Sequence, residues 1–122
     1  MPATYRYYLN LVILELIGDY SLDDIRAAIR GSLTDPACPA RPRLLIDFTG
    51  SEVFHKRTSD DIMTMSRFVA SLADRFDNHV AIVAPKEYQY GLARMGSIGA
   101  EREGVSVRIF RLFDEARNWL LG

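Results

Sequence analysis

Two apolar runs of strand length bracket a long helical stripe: Leu44-Leu45-Ile46, closed by Asp47, and Val80-Ala81-Ile82-Val83-Ala84, closed by Pro85. Apolar character that is unbroken rather than alternating is what a strand covered on both faces requires. A helix lying between two such strands predicts a right-handed crossover and therefore a layered α/β domain. The first run continues through Phe48-Thr49-Gly50-Ser51, a small polar turn after a carboxylate. Ligands and partners of such sheets gather at the carboxyl ends of the strands, so the stretch from Asp47 to Ser59 is the first place to look for a site.

The rest of the chain extends the pattern. Tyr5 to Leu9 and Leu11 to Ile17 read as a short edge strand turning at Asn10 into a longer one that ends at Gly18-Asp19. Ser21 caps the next helix with Asp23 and Asp24 in its first turn; Ile25, Ala28, Ile29 and Leu33 share one face, and Asp35-Pro36 ends it. Thr58 or Ser59 caps a helix running to Phe76, with Ile62, Met65, Val69 and Leu72 as its core stripe. Glu87 to about Ala100 forms a third helix whose core face is expected to carry Leu92, Met95 and Ile98. Gly91, Gly96 and Gly99 are unusual there, because each costs up to about 1 kcal/mol relative to alanine. The expected return is close approach of another backbone, either the sheet or a second subunit. Val105 to Phe110 is the last strand, and Asp114 to Leu121 the last helix, burying Phe113, Ala116, Trp119 and Leu120. The predicted order is ββαβαβαβα: a mostly parallel five-stranded sheet with one antiparallel edge strand.

At 122 residues the chain reads as a single domain, residues 1–122, long enough to build its own core. Its 15 basic and 16 acidic residues nearly cancel, so no bulk field draws it to nucleic acid. No apolar run approaches the roughly 20 residues of a membrane helix, and no secretory leader pattern is visible, so membrane insertion is not expected and a cytoplasmic location is. Cys38 stands alone, which excludes an internal disulfide.

Taken in order, Gly18-Asp19-Tyr20-Ser21-Leu22-Asp23-Asp24, Leu44-Leu45-Ile46-Asp47-Phe48-Thr49-Gly50, Ala81-Ile82-Val83-Ala84-Pro85, Tyr90-Gly91-Leu92-Ala93-Arg94-Met95 and the ending Glu115-Ala116-Arg117-Asn118-Trp119-Leu120 make the chain resemble the SpoIIAA-like, or STAS, domain family, in the branch named STAS/SEC14 domain-containing proteins. The resemblance spans essentially the whole chain. It implies a small regulatory or ligand-binding domain without catalysis of its own. Anti-sigma-factor antagonists of this fold carry a phosphorylatable serine in Asp-Ser-Ser-Gly at the start of a helix. The matching region here is His55-Lys56-Arg57-Thr58-Ser59-Asp60-Asp61, so that motif is missing. Ser59 and Thr58 remain the phosphosite candidates, although Asp60 and Asp61 would repel the added charge.

Several residues invite sharper chemistry. An aspartate placed like Asp47 serves as phosphate acceptor in response-regulator receivers. Those also need paired acids after the first parallel strand and a lysine after the last, whereas here Asp19 has no acidic neighbour, Lys86 follows the wrong strand and Arg111 follows the last. Asp47 accepting bonds from its own turn, through Thr49, is the plainer reading. His55, Lys56 and Arg57 beside Thr58 and Ser59 put cations at a helix start, where a phosphate, nucleotide or lipid headgroup would fit. The plainer alternative is a solvated loop neutralised by Asp60 and Asp61. With only His55 and His79 and one cysteine, no metal or other cofactor is expected.

The sequence therefore predicts a non-catalytic regulatory or binding module, using Asp47, Thr49, His55, Lys56, Arg57, Thr58, Ser59, Lys86 and Tyr90 toward a protein partner or a small anionic ligand. A carrier of a small apolar or lipid-like ligand, lined by Phe54, Met63, Phe68 and Tyr90, is the alternative. An enzyme using Asp47 or His55 ranks last. Homodimerisation through the glycine-bearing helix or the edge strand is a further expectation.

Overall fold

The structure, a computed structural model, describes residues 3–52 and 56–122. Five strands, β1 Ala3–Tyr8, β2 Leu11–Leu16, β3 Arg43–Asp47, β4 His79–Val83 and β5 Ser106–Phe110, alternate with four helices, α1 Leu22–Thr34, α2 Ser59–Leu72, α3 Glu87–Arg102 and α4 Phe113–Leu121, in the expected order. The strands form one sheet in the order β1-β2-β3-β4-β5. β1 pairs antiparallel with β2, and every later pair is parallel.

The unbroken apolar runs do what their composition requires. Val12, Leu14, Leu16, Leu44, Ile46 and Val80 face a large core under α1, α2 and α3. Leu11, Ile13, Leu45, Ala81 and Val83 face a smaller one, closed by Ala116 and Leu120 of α4. Three helices thus cover one face and one helix the other. The β1–β2 turn is taken by Leu9 in a left-handed conformation at φ 52° together with Asn10, so Leu9 belongs to the turn rather than to the strand.

Local signals set the helix ends. The Ser21 hydroxyl accepts the Asp24 amide (3.0 Å) while the Asp24 carboxylate accepts the Ser21 amide (2.9 Å). Thr58 and Asp61 repeat this reciprocal box at the start of α2, both bonds 3.1 Å, which decides for Thr58 over Ser59 as the cap. α2 stops at Leu72, and a 3₁₀ turn, Ala73–Phe76, carries Phe76 into the core before Asp77 and Asn78 reverse the chain with positive φ.

The expected core face of α3 needs correction. Leu92 packs against the core, but Met95 is 38% and Ile98 48% exposed, while Gln89, Ala93, Ser97 and Ala100 turn inward. The cause is the close approach of α2. A Cβ on Gly96 would meet Ile62 Cγ2 at 3.2 Å, and one on Gly99 would meet Ser66 Oγ at 2.9 Å. Contact with α2 along the Gly96 and Gly99 edge fixes the rotation of the helix and leaves the larger side chains Met95 and Ile98 in water. A close approach is therefore made within the chain at Gly96 and Gly99, but to side chains of α2 rather than to the sheet or a second subunit as expected, and none is made at Gly91. Among the described residues, no helix is long and apolar enough to cross a membrane.

Candidate functional site

Because β2 to β5 run parallel, their carboxyl ends share one edge of the domain with the amino ends of α1, α2 and α3. The loops leaving β2 and β3 are stitched together there. Gly18, at φ 67°, donates its amide to the Gly50 carbonyl (2.7 Å), and the Glu52 amide donates to the Gly18 carbonyl (3.0 Å). A side chain at Gly18 would be strained by that backbone conformation.

The sequence-predicted residues are placed as follows. Asp47 closes β3, and its carboxylate accepts both the Thr49 amide (2.9 Å) and the Thr49 hydroxyl (2.5 Å), a self-contained turn. Arg57 donates to the Tyr20 carbonyl and lies over the Tyr20 ring, 5.2 Å from its centroid. It is thereby used in joining the α2 approach to the loop before α1. The Thr58 hydroxyl is engaged as the α2 cap, while Ser59 and Lys56 stand in solvent. Lys86 is exposed at the start of α3. Tyr90 is half-buried, with the Arg111 guanidinium 4.7 Å over its ring. His55 and Phe54 lie outside the described residues. The fold therefore brings Arg57, Thr58 and Ser59 to the same edge as Asp47, Thr49, Lys86 and Tyr90, but it directs Arg57 and the Thr58 hydroxyl inward.

Four residues that the sequence reading missed organise this edge. Tyr20 and Ser51, 3% and 1% exposed, share a 2.8 Å hydrogen bond. Burial holds the Tyr20 phenol above its ordinary pKa, against the opposing pulls of the Ser51 bond and the Arg57 cation. Gln89 is fully buried; its amide nitrogen donates to the Phe48 carbonyl (3.1 Å) and its carbonyl accepts the Lys86 amide (3.1 Å). It ties the β3 turn to the amino end of α3. Arg111 is the fourth. The position of Gln89, three residues past the start of a helix, is the one sequence signal that could have pointed to it.

Away from this edge, the His79 ring bonds the Asp77 carbonyl (2.6 Å) and stands 5.7 Å from the Trp119 ring. Cys38 sits half-buried near the opposite end, where burial pushes its thiol up despite the neighbouring Arg75. Among the described residues, no group of three His, Cys, Asp or Glu is placed to hold a metal. An apolar cavity of about 80 Å³ lies between the sheet and the α2–α3 pair, walled by Ile46, Ile62, Met65, Leu92, Ala93 and Val107. Met63, Phe68 and Tyr90, expected to line a ligand chamber, do not line it: Phe68 lies beneath Arg30 and Tyr90 beneath Arg111.

No protein-family model matches the chain, and no curated protein does. Among solved structures, it is similar to the crystal structure of an uncharacterized protein of the DUF3478 family with a SpoIIAA-like fold from Shewanella loihica PV-4. The two share 16% sequence identity with a TM-score of 0.57, over 97% of this chain and 91% of that one. Element order, sheet order and this likeness together establish that the chain has a SpoIIAA-like fold.

Proposed function

We propose that the protein is a non-catalytic binding module that recognises a protein partner at the carboxyl edge of its sheet. One contrast carries this reading. The polar side chains Asp47, Ser51, Arg57, Thr58 and Gln89 are bonded within the chain, whereas Ile17 and Leu112 at the same edge are 53% and 61% exposed. Reaction chemistry needs polar groups aimed at a substrate, while a partner surface needs apolar side chains in reach with a polar rim. Lys56, Lys86 and Arg111, all exposed, supply a cationic rim, which fits a partner offering apolar and acidic groups together.

The test is affinity capture with amine-directed cross-linking through the rim lysines Lys56 and Lys86, comparing the wild type with an Ile17→Glu, Leu112→Glu variant. A defined adduct that the double variant loses, at unchanged thermal midpoint, is expected. A thermal shift with phosphorylated compounds that Lys56→Ala with Lys86→Ala abolishes would replace the protein partner by a small anion.

A second reading, the apolar-ligand carrier, draws support from the cavity beneath α2 and α3. At about 80 Å³ it is smaller than the about 150 Å³ that admits a benzene ring, so an acyl chain enters only if the two helices separate. Saturable stabilisation by fatty acids, weakened by Ala93→Leu, would support that reading.

A further inference from the structure

We infer that the outer face of α3 is a self-association surface, on which a second copy of this chain packs antiparallel about a twofold axis passing at Gly91. This goes beyond the partner surface proposed above and uses a different face of the molecule.

The starting point is a glycine without an internal reason. Gly96 and Gly99 face α2 at distances a side chain would violate, but a Cβ on Gly91 would meet nothing within 4 Å. Gly91 is exposed in the interior of a 16-residue helix, where it costs about 1 kcal/mol relative to alanine. Among the described residues, nothing uses the close approach it permits. Around it the helix exposes Glu87 and Arg94 on one flank and Tyr88 and Met95 on the other, with Ile98 two turns further along the same face.

Helical spacing makes this face self-complementary. In a twofold antiparallel pair the same flank of each helix meets its own counterpart, and residues equidistant from the axis in opposite directions lie at one level. With Gly91 on the axis, Glu87 of each copy lies on the same flank as Arg94 of the other and within one residue's rise, about 1.5 Å, of its level, and Tyr88 stands in the same relation to Met95. Opposite charges meet twice on one flank, and an aromatic ring meets a thioether twice on the other. The glycines let the two backbones approach at the crossing. No ion pair within the chain engages Glu87 or Arg94 among the described residues, so both charges are available to a partner. At 1.5 Å per residue the helix is about 24 Å long, so one face buries less than a standard interface and the dimer is weak and concentration-dependent.

The experiment is sedimentation equilibrium of the full chain from micromolar to millimolar concentration. The wild type is expected to rise from 13.8 kDa toward twice that mass. Gly91→Leu, which places a large side chain at the axis in both copies, is expected to weaken association at least about a hundredfold. Glu87→Arg alone is expected to weaken it about tenfold, and Glu87→Arg combined with Arg94→Glu to restore it. Circular dichroism of each variant monitors folding separately. A wild type that stays at 13.8 kDa throughout overturns the proposal, as does association that Gly91→Leu leaves intact or a double reversal no better than the single one. These variants leave Ile17 and Leu112 untouched, so either proposal can fail without the other.

Discussion

The two sides of α3 differ in chemistry, and each meets the fate that hydrophobicity alone would assign to the other. The inner side carries Gln89, Ala93, Ser97 and Ala100, and the outer side carries Tyr88, Met95 and Ile98. A reading by hydrophobicity alone turns the outer side inward. The structure reverses this because Gly96 and Gly99 seat α3 closely against α2, which turns Gln89, Ala93, Ser97 and Ala100 toward the interior, and Gln89 compensates its own burial with two hydrogen bonds. Where two elements already stand close, the volume of a side chain outweighs its transfer energy in deciding which face is buried.

The sharpest way to break this comparison is one substitution at two glycines two turns apart. Gly99→Leu drives a side chain into Ser66 and Met63 and is expected to lose about 3 kcal/mol in urea unfolding. Gly91→Leu, measured dilute, is expected to match or slightly exceed the wild type. Equal losses at the two sites would mean that the sides do not differ. With alanine the signs should still separate: Gly99→Ala loses about 1 kcal/mol net, Gly91→Ala gains up to about 1 kcal/mol, and Gly96→Ala, 3.2 Å from Ile62, falls between them. Ile98→Ser on the outer side should change stability by no more than about 0.5 kcal/mol, and a larger loss would place Ile98 in the core after all.

The smallest effect near neutrality is one of pH. The Tyr20 phenol, near the inner end of α3, is raised in the folded state, so its contribution is fully present below the ordinary value near 10 and is lost as pH rises through the folded value. Urea midpoints should therefore fall above about pH 10, and Tyr20→Phe should flatten part of that slope. Tyr5 and Tyr7, the latter pushed up to about 12 by burial, supply further slope in the same direction. A slope that Tyr20→Phe leaves unchanged would remove Tyr20 as a source.

Most of the fold was legible. Unbroken apolar runs, two reciprocal caps and the Asp35-Pro36 stop are local signals, and the structure follows them at β3, β4, α1 and α2. The self-contained turn at Asp47 was legible for the same reason. Residues that act across the chain were not. Arg43 donates to the Leu120 carbonyl (2.6 Å) and reaches Asp77, pinning the end of α4 to the sheet, and no spacing announces a contact between residues so far apart in sequence. Tyr20 with Ser51 and Gln89 with Phe48 escaped for that reason too. The inward turn of Arg57 escaped because a guanidinium near a helix start reads alike whether it awaits an anion or stacks on a ring.

The sequential order of the strands bears on how the molecule is made. Each strand pairs only with its neighbours along the chain, so the sheet can grow by one edge as a ribosome delivers it, and no early strand waits for a distant one. The second face is different: among the described residues, the helical cover of Leu11, Ile13, Leu45 and Ala81 comes from α4, which follows all five strands. A nascent chain is thus roofed on one side long before the other. The stretch from Phe113 onward decides when the newborn domain stops presenting a bare apolar sheet to its surroundings.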